Sequence, residues 1–120
     1  MKKYRKLKNC VFCELIENRL SPLVFENDNF VIINDIRPDA KKHYLAIPKN
    51  HFTNLLDAEM EDFDTMNEIM KYVAQHANEL GVGDGFRLVM NNGEQATQTV
   101  FHAHMHFLGG QKLKHTQSNL

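Results

Sequence analysis

The spacing of apolar and polar positions divides the chain into several short elements and one long one. Residues 11–16 have the character of a short helix, which the polar stretch 17–21 ends before Pro22. Residues 23–26 and 30–34 are β-rich runs separated by Asn27, Asp28 and Asn29, a turn signal that predicts a hairpin. Arg37, Pro38 and Asp39 make the next loop, and residues 44–47 form a further apolar strand closed by Pro48. From residue 58 to 80, Met60, Phe63, Met66, Met70, Val73, Ala77 and Leu80 recur at steps of three and four, lining one face of a long helix. Asp57 is placed to cap its start and Gly81 its end. Methionines at this spacing are read as core rather than as a cofactor stripe. Residues 86–91 predict a strand, 92–96 a loop and 100–108 the last strand, while Gly109, Gly110 and the polar tail 111–120 are expected to fray.

Strands flanking one long helix in this order predict an antiparallel α+β domain rather than a parallel βαβ sheet. The 120 residues are one domain's worth. At 42% hydrophobic and 24% charged, the composition is that of a soluble globular protein. A formal net charge of -1 gives no general drive toward nucleic acid or an anionic membrane. Lys2, Lys3, Arg5, Lys6 and Lys8 make residues 1–8 locally basic, and this run is read as a solvated tail. No apolar run of signal-peptide or membrane-spanning length is present, so the expected location is the cytoplasm.

Residues 98–108, Gln-Thr-Val-Phe-His-Ala-His-Met-His-Phe-Leu, carry the candidate chemistry. On a strand, His102, His104 and His106 share one face, and Ala103, Met105 and Phe107 point into the core beneath the long helix. Three imidazoles on one face are costly to bury unless a metal, an anionic substrate or both satisfy them. Histidine suits phosphate chemistry because its ordinary pKa lies near 6.5. One neutral ring can attack phosphorus while a protonated neighbour neutralises oxygen charge or protonates the leaving group. Cys10 and Cys13 form a C-x-x-C pair with three readings open: a metal half-site, a redox pair, or two small buried thiols.

Together these segments resemble the histidine triad family. The resemblance rests on residues 98–108, on Cys10-Val-Phe-Cys13, Asn34-Asp35-Ile36, His43 through His51, and Asn91-Asn92-Gly93, and it spans nearly the whole chain. The ending Leu108-Gly109-Gly110 is similar to the Hint-like purine nucleoside phosphoramidase branch. The resemblance implies a five-stranded antiparallel sheet with one long and one short helix, usually in a homodimer. It implies a covalent nucleotidyl-histidine intermediate on His104, with His106 at the phosphate oxygens, His43 lining the site and Thr99 near the leaving atom. Backbone N–H groups at residues 97–100, including Thr97 and Val100, would be donors, with Asn91 near the phosphate. Asp35 would grip the ribose hydroxyls, although on its own it also reads as a turn residue before Pro38. Val11, Phe12, Leu15, Ile33, Ile36 and Leu45 would surround the base, although each also reads as ordinary core. Cys10, Cys13, His51 and His102 would hold a structural zinc with no part in bond cleavage.

Two departures stand out: Thr97 replaces a common glycine, and the tryptophan-bearing tail of many phosphoramidases is missing, since the chain has no Trp. The expected substrate is a purine nucleoside 5′-phosphoramidate. The competing expectations are a dinucleoside polyphosphate hydrolase and a nucleotide-binding regulatory module. The near-neutral charge and single C-x-x-C argue against a zinc module that binds nucleic acid.

Overall fold

Asn27 makes the first reversal. Its Oδ1 accepts the N–H groups of Asn29 and Phe30 at 2.8 and 3.0 Å, the side-chain turn expected of Asn before a strand. In the computed structural model, which describes residues 4–115, this turn joins β1 (Phe25–Glu26) to β2 (Phe30–Asn34) as an antiparallel hairpin. β3 (Lys42–Pro48), β4 (Phe86–Val89) and β5 (Met105–Gly109) complete a five-stranded sheet in the order β1-β2-β3-β5-β4, every pairing antiparallel. With the short helix α1 (Val11–Asn18) and the long helix α2 (Met60–Gln75), this is the α+β architecture the pattern predicts.

The central sheet is buried on both faces. One face carries Phe30, Ile32, Tyr44, Ala46, Met105 and Phe107 beneath Met66, Ile69 and Val73 of α2. Each fully buried side chain of this size contributes about 1.5–3 kcal/mol. The other face carries Val31, Ile33, Leu45 and Ile47 against Phe12, Cys10 and Cys13 of the α1 segment. His43 and His106 lie on this second face, because His106 is opposite Leu45 and His43 is two residues before it.

Several element boundaries differ from the predicted ones. α2 begins at Met60 with a capping box between Glu59 and Asp62, while Asp57 instead closes a capping box with Asn54 on a short 3-10 turn, Leu55–Asp57. α2 ends at Gln75, and Gly81, with φ +79°, sits at the end of the turns that follow. Its buried face is Asp62, Thr65, Met66, Ile69 and Val73, whereas Met60, Phe63 and Met70 are 79%, 46% and 41% exposed. The predicted stripe therefore spans more than one side of the helix, and contact with the sheet selects the side bearing Ile69.

Arg5 corrects the reading of a solvated basic tail. Its guanidinium pairs with the buried Asp62 and with Glu61, and its backbone N–H donates to Asn50. Lys2 and Lys3 lie outside the described residues, as do residues 116–120 of the tail. β1 is shorter than 23–26 and β4 ends at Val89 rather than 91. β5 starts at Met105 rather than 100, and it includes Gly109 instead of fraying there. A Cβ on Gly109 would lie 2.8 Å from Val82 Cγ1, so this strand end is closely packed.

Candidate active site and metal centre

The segment before β5 departs from the predicted ladder. Antiparallel pairing of β3 with β5 stops at Ala46 opposite Met105, so His102, on a bend, and His104 lie outside the sheet. The next position on β3 that would offer a ladder donor to this segment is Pro48, which has no N–H. Its carbonyl instead accepts from His102 Nε2 at 2.7 Å. Alternation nevertheless persists: Ala103, Met105 and Phe107 enter the core under α2, and Phe12 packs edge-on against both His102 and His104. The three histidines thus share a side of the sheet as expected, without sharing a strand.

Hydrogen bonds to backbone, or through His43, assign a tautomer to each ring. His104 Nδ1–H donates to the His102 carbonyl at 2.7 Å, which leaves the lone pair on Nε2. His43 Nδ1 accepts the Asp39 N–H at 3.0 Å, so its proton sits on Nε2, 2.9 Å from His106 Nδ1. His106 Nδ1 accepts that proton's hydrogen bond, which places the His106 proton on Nε2. Burial pushes all of these rings toward the neutral form. His106 is lowered to about 4 by burial and by its His104 and His43 neighbours, with Asp35 opposing. His104 and His43 are also lowered, in each case mainly by burial.

A cavity of about 470 Å³ opens over these rings. Of the residues expected there, it is lined by His43, His104, His106, Thr99, Asp35, Asn91, Thr97, Val100, Phe12 and Leu45. Four expected residues do not line it. Ile36 is 90% exposed, Val11 faces a neighbouring depression with Leu7 and Phe101, and Ile33 and Leu15 belong to the apolar layer behind. Ile33 is core at 3% exposure, and Leu15 is half-buried against the same layer. Asp35 is a turn residue, its Oδ1 accepting the Arg37 N–H at 2.8 Å, and it also lines the cavity.

Arg37, Pro38, Asp39 and Gln98 also line the cavity and were not singled out from the sequence. Asp39 acts through its backbone N–H, for which residue type carries no signal. Gln98 heads the histidine segment, and its position there was the available clue. The donors expected across residues 97–100 narrow to two. The N–H groups of Thr97 and Gln98 are taken by Glu94 and Gly93 carbonyls, while those of Thr99 and Val100 have no partner among the described residues. Thr97 has φ +63°, the left-handed conformation in which glycine is at home.

Behind this cavity, Cys10, Cys13, His51 and His102 converge, with all their donor atoms within 4.8 Å of one another. His102 Nδ1 lies 3.4 Å from Cys10 Sγ, 3.5 Å from Cys13 Sγ and 3.1 Å from His51 Nδ1, and Cys13 Sγ is 3.5 Å from His51 Nδ1. Zinc bonds of about 2.0–2.3 Å in a tetrahedron demand donor separations of roughly 3.3–3.8 Å, so the set fits. The His102 Nε2–H bond to Pro48 frees Nδ1 for this role and fixes the ring, as metal-bound imidazoles require. Burial raises the Cys13 thiol to about 11, so without a metal it stays protonated. Asp35, His43 and His106 also cluster, but they suit a metal poorly. Ligation through His43 Nε2 would need a proton on Nδ1, where the Asp39 N–H already points.

The chain matches the family model described as the HIT domain over residues 18–113. It is 41% identical over 101 residues to an HIT-like protein of Chlamydia muridarum, covering 83% of this chain and 80% of that one. An HIT family hydrolase from Clostridium thermocellum superposes with a TM-score of 0.83 at 39% identity, covering 91% of this chain and 96% of that one. A zinc-bound histidine triad family protein from Mycobacterium smegmatis superposes at 0.75 with 34% identity, covering 92% and 81%. Among the described residues, no helix is long and apolar enough to cross a membrane.

Proposed function

The chain belongs to the HIT domain family, and from that premise we propose that it is a hydrolase of purine nucleoside 5′-phosphoramidates acting through His104. The observation that carries this reading is the His104 tautomer. With Nδ1–H held by the His102 carbonyl, Nε2 presents a lone pair in a cavity that also holds Asp35 and two spare backbone donors. Nε2 attacks the α-phosphorus as the P–N bond breaks, and the nitrogen leaves with the bonding pair and a proton taken from solvent, which the later attack of water returns. Water then attacks phosphorus, the P–Nε2 bond breaks and the mononucleotide is released. His106 donates from Nε2 to a phosphate oxygen, with its Nδ1 held by His43. The Thr99 and Val100 N–H groups stabilise charge that develops on phosphorus oxygens. Asp35 accepts from the ribose hydroxyls, and Phe12 and Leu45 flank the base.

Zinc at Cys10, Cys13, His51 and His102 has a structural part in this reading. Four protein ligands close the coordination shell and leave no position for water or substrate. Two reduced cysteines suit a reducing compartment such as the cytoplasm. A homodimer completes the proposal, supported by the exposed apolar side chains Phe63, Met70, Phe86 and Leu88 and by the open edge of β4. The Clostridium thermocellum hydrolase supports the reaction class. The test compares adenosine 5′-phosphoramidate with diadenosine polyphosphates and traps nucleotide on the protein by rapid acid quench. Preference for the phosphoramidate with label on His104 supports the proposal. Preference for the dinucleotide replaces the substrate, and absence of any adduct removes the covalent step.

A further inference from the structure

The loop between β4 and β5 runs from residue 90 to 104 without a ladder, yet it carries Asn91, Thr97, Thr99 and Val100 of the cavity. The Leu55 N–H to Asn92 Oδ1 and the Ala103 N–H to the Phe52 carbonyl anchor its two ends, and one buried side chain ties its middle. Gln98 is 4% exposed, and its amide uses all four of its hydrogen-bonding positions. Oε1 accepts from Asn54 Nδ2 at 3.0 Å and from the Gly93 N–H at 2.8 Å. Nε2 donates to the Thr53 carbonyl at 2.8 Å and to the Val100 carbonyl at 3.0 Å. Asn54 is itself buried and anchored, its Oδ1 accepting the Leu56 N–H.

These four bonds bracket the two spare donors of the cavity. Gln98 ties Gly93, before the 3-10 turn Glu94–Ala96, to Val100, so the Thr99 and Val100 N–H groups lie on the segment it closes. The bond to Thr53 fixes that segment to the chain just after His51. Removing the amide would leave two half-buried carbonyls and a backbone N–H without these partners, and the loop would have to shift to satisfy them.

We propose that Gln98 is a positioning residue of the reaction: its buried amide holds the Thr99 and Val100 donors in place relative to His104. The inference rests on reading the cavity as a phosphoryl-transfer site. Gln98 touches no reacting atom, so its loss changes where the donors stand rather than which groups are present. A displacement of that kind lowers the rate in the transition state more than it weakens substrate binding.

The test replaces Gln98 in the full chain and follows steady-state turnover of adenosine 5′-phosphoramidate together with hydrogen exchange of the residue 93–100 amides. Gln98→Met, which keeps length and removes every bond, is expected to lower kcat about 10- to 100-fold with KM held within about threefold. Exchange should quicken in 93–100 and stay unchanged in β2 and β3. Gln98→Glu keeps the acceptor oxygens and loses both donors, and it serves where Gln98→Met does not fold. For that variant the ratio of its turnover to wild type rises as pH falls, because protonation of the new carboxyl restores one donor. Wild-type kcat in either folded variant, or a loss carried by KM alone, overturns the proposal. If wild type itself does not turn over phosphoramidates, the functional reading fails separately. The positioning role is then judged on exchange, and unchanged protection of 93–100 overturns it.

Discussion

His102 and His104 are two residues apart, the first buried and the second half-buried, and they hold mirror-image tautomers. His102 donates from Nε2 to the Pro48 carbonyl and turns Nδ1 toward two sulfurs and a second imidazole. His104 donates from Nδ1 to the His102 carbonyl, and Nε2 remains with the open cavity. One region is a closed set of four donors suited to a metal, and the other is a cavity of about 470 Å³ suited to a ligand. The residue type is the same in both. In the proposed reading, what separates the histidine that would hold a metal from the one that would attack phosphorus is which ring nitrogen the backbone has already claimed.

The largest effect that could break this contrast is at His104. His104→Ala should lower turnover by several powers of ten, on the scale of a lost catalytic nucleophile, while the melting temperature and metal content stay near wild type. A variant that keeps a tenth of wild-type turnover would mean that the free Nε2 is not the attacking group.

Next in size is the closed site. Cys10→Ser, or removal of metal by a chelator, should lower the melting temperature and leave residual turnover, because ligation enters as folding energy. The drop should be smaller than in a zinc finger, since thirteen buried residues already form a core beneath α2. Metal analysis should find about one zinc per chain. Loss of turnover with no loss of stability would move the metal into the chemistry.

The pH response sharpens the contrast further. Burial lowers His104 below the ordinary imidazole value, and the proposed attack uses the neutral ring. The acid limb of kcat/KM should therefore lie below about pH 6.5. Stability follows the same sign through His106, lowered to about 4 in the fold. Its contribution is complete above about pH 6.5, the unfolded value, and is lost as pH falls toward the folded one. Denaturant midpoints at about pH 7.5 and about pH 5 should show the decline in a His106→Gln background to a lesser extent than in wild type. An acid limb above the ordinary imidazole value would contradict the assignment.

The smallest expected effect concerns Thr97. At φ +63° a β-branched residue is strained, so Thr97→Gly should stabilise the protein by roughly 0.5–1 kcal/mol, after the greater freedom of glycine in the unfolded chain is counted. The denaturant midpoint measures it, and a loss of stability would show that the side chain contributes more than its backbone costs.

The comparison also shows how far local pattern reaches. β2 was legible as residues 30–34 because five successive positions are Phe, Val, Ile, Ile and Asn after a turn built by Asn27. The triad face was legible because the alternation of side chains persists through residues 102–104, even where the ladder has stopped. The helix stripe was only half legible: Met66 and Val73 are core, but Phe63 and Met70 have equal apolar character and lie outside. Hydrophobicity ranks residues without saying which side of a helix meets the sheet. Arg5 reads as a loose basic tail until Asp62, more than fifty positions away, appears beside it.

Local sequence thus determined the element types, the α+β class, the three histidines on one side and the pair of cysteines at helical spacing, since each follows from neighbours a few residues apart. Tertiary structure alone decided the ring tautomers, the convergence of Cys10 and Cys13 with His51 and His102, and the exclusion of Ile36 and Ile33 from the cavity. Those outcomes depend on carbonyls and side chains brought together from distant positions, such as Pro48 with His102 and Asp39 with the His106 partner His43. A hydrogen bond is short and directional, so no period along the chain encodes which partner will stand at its other end.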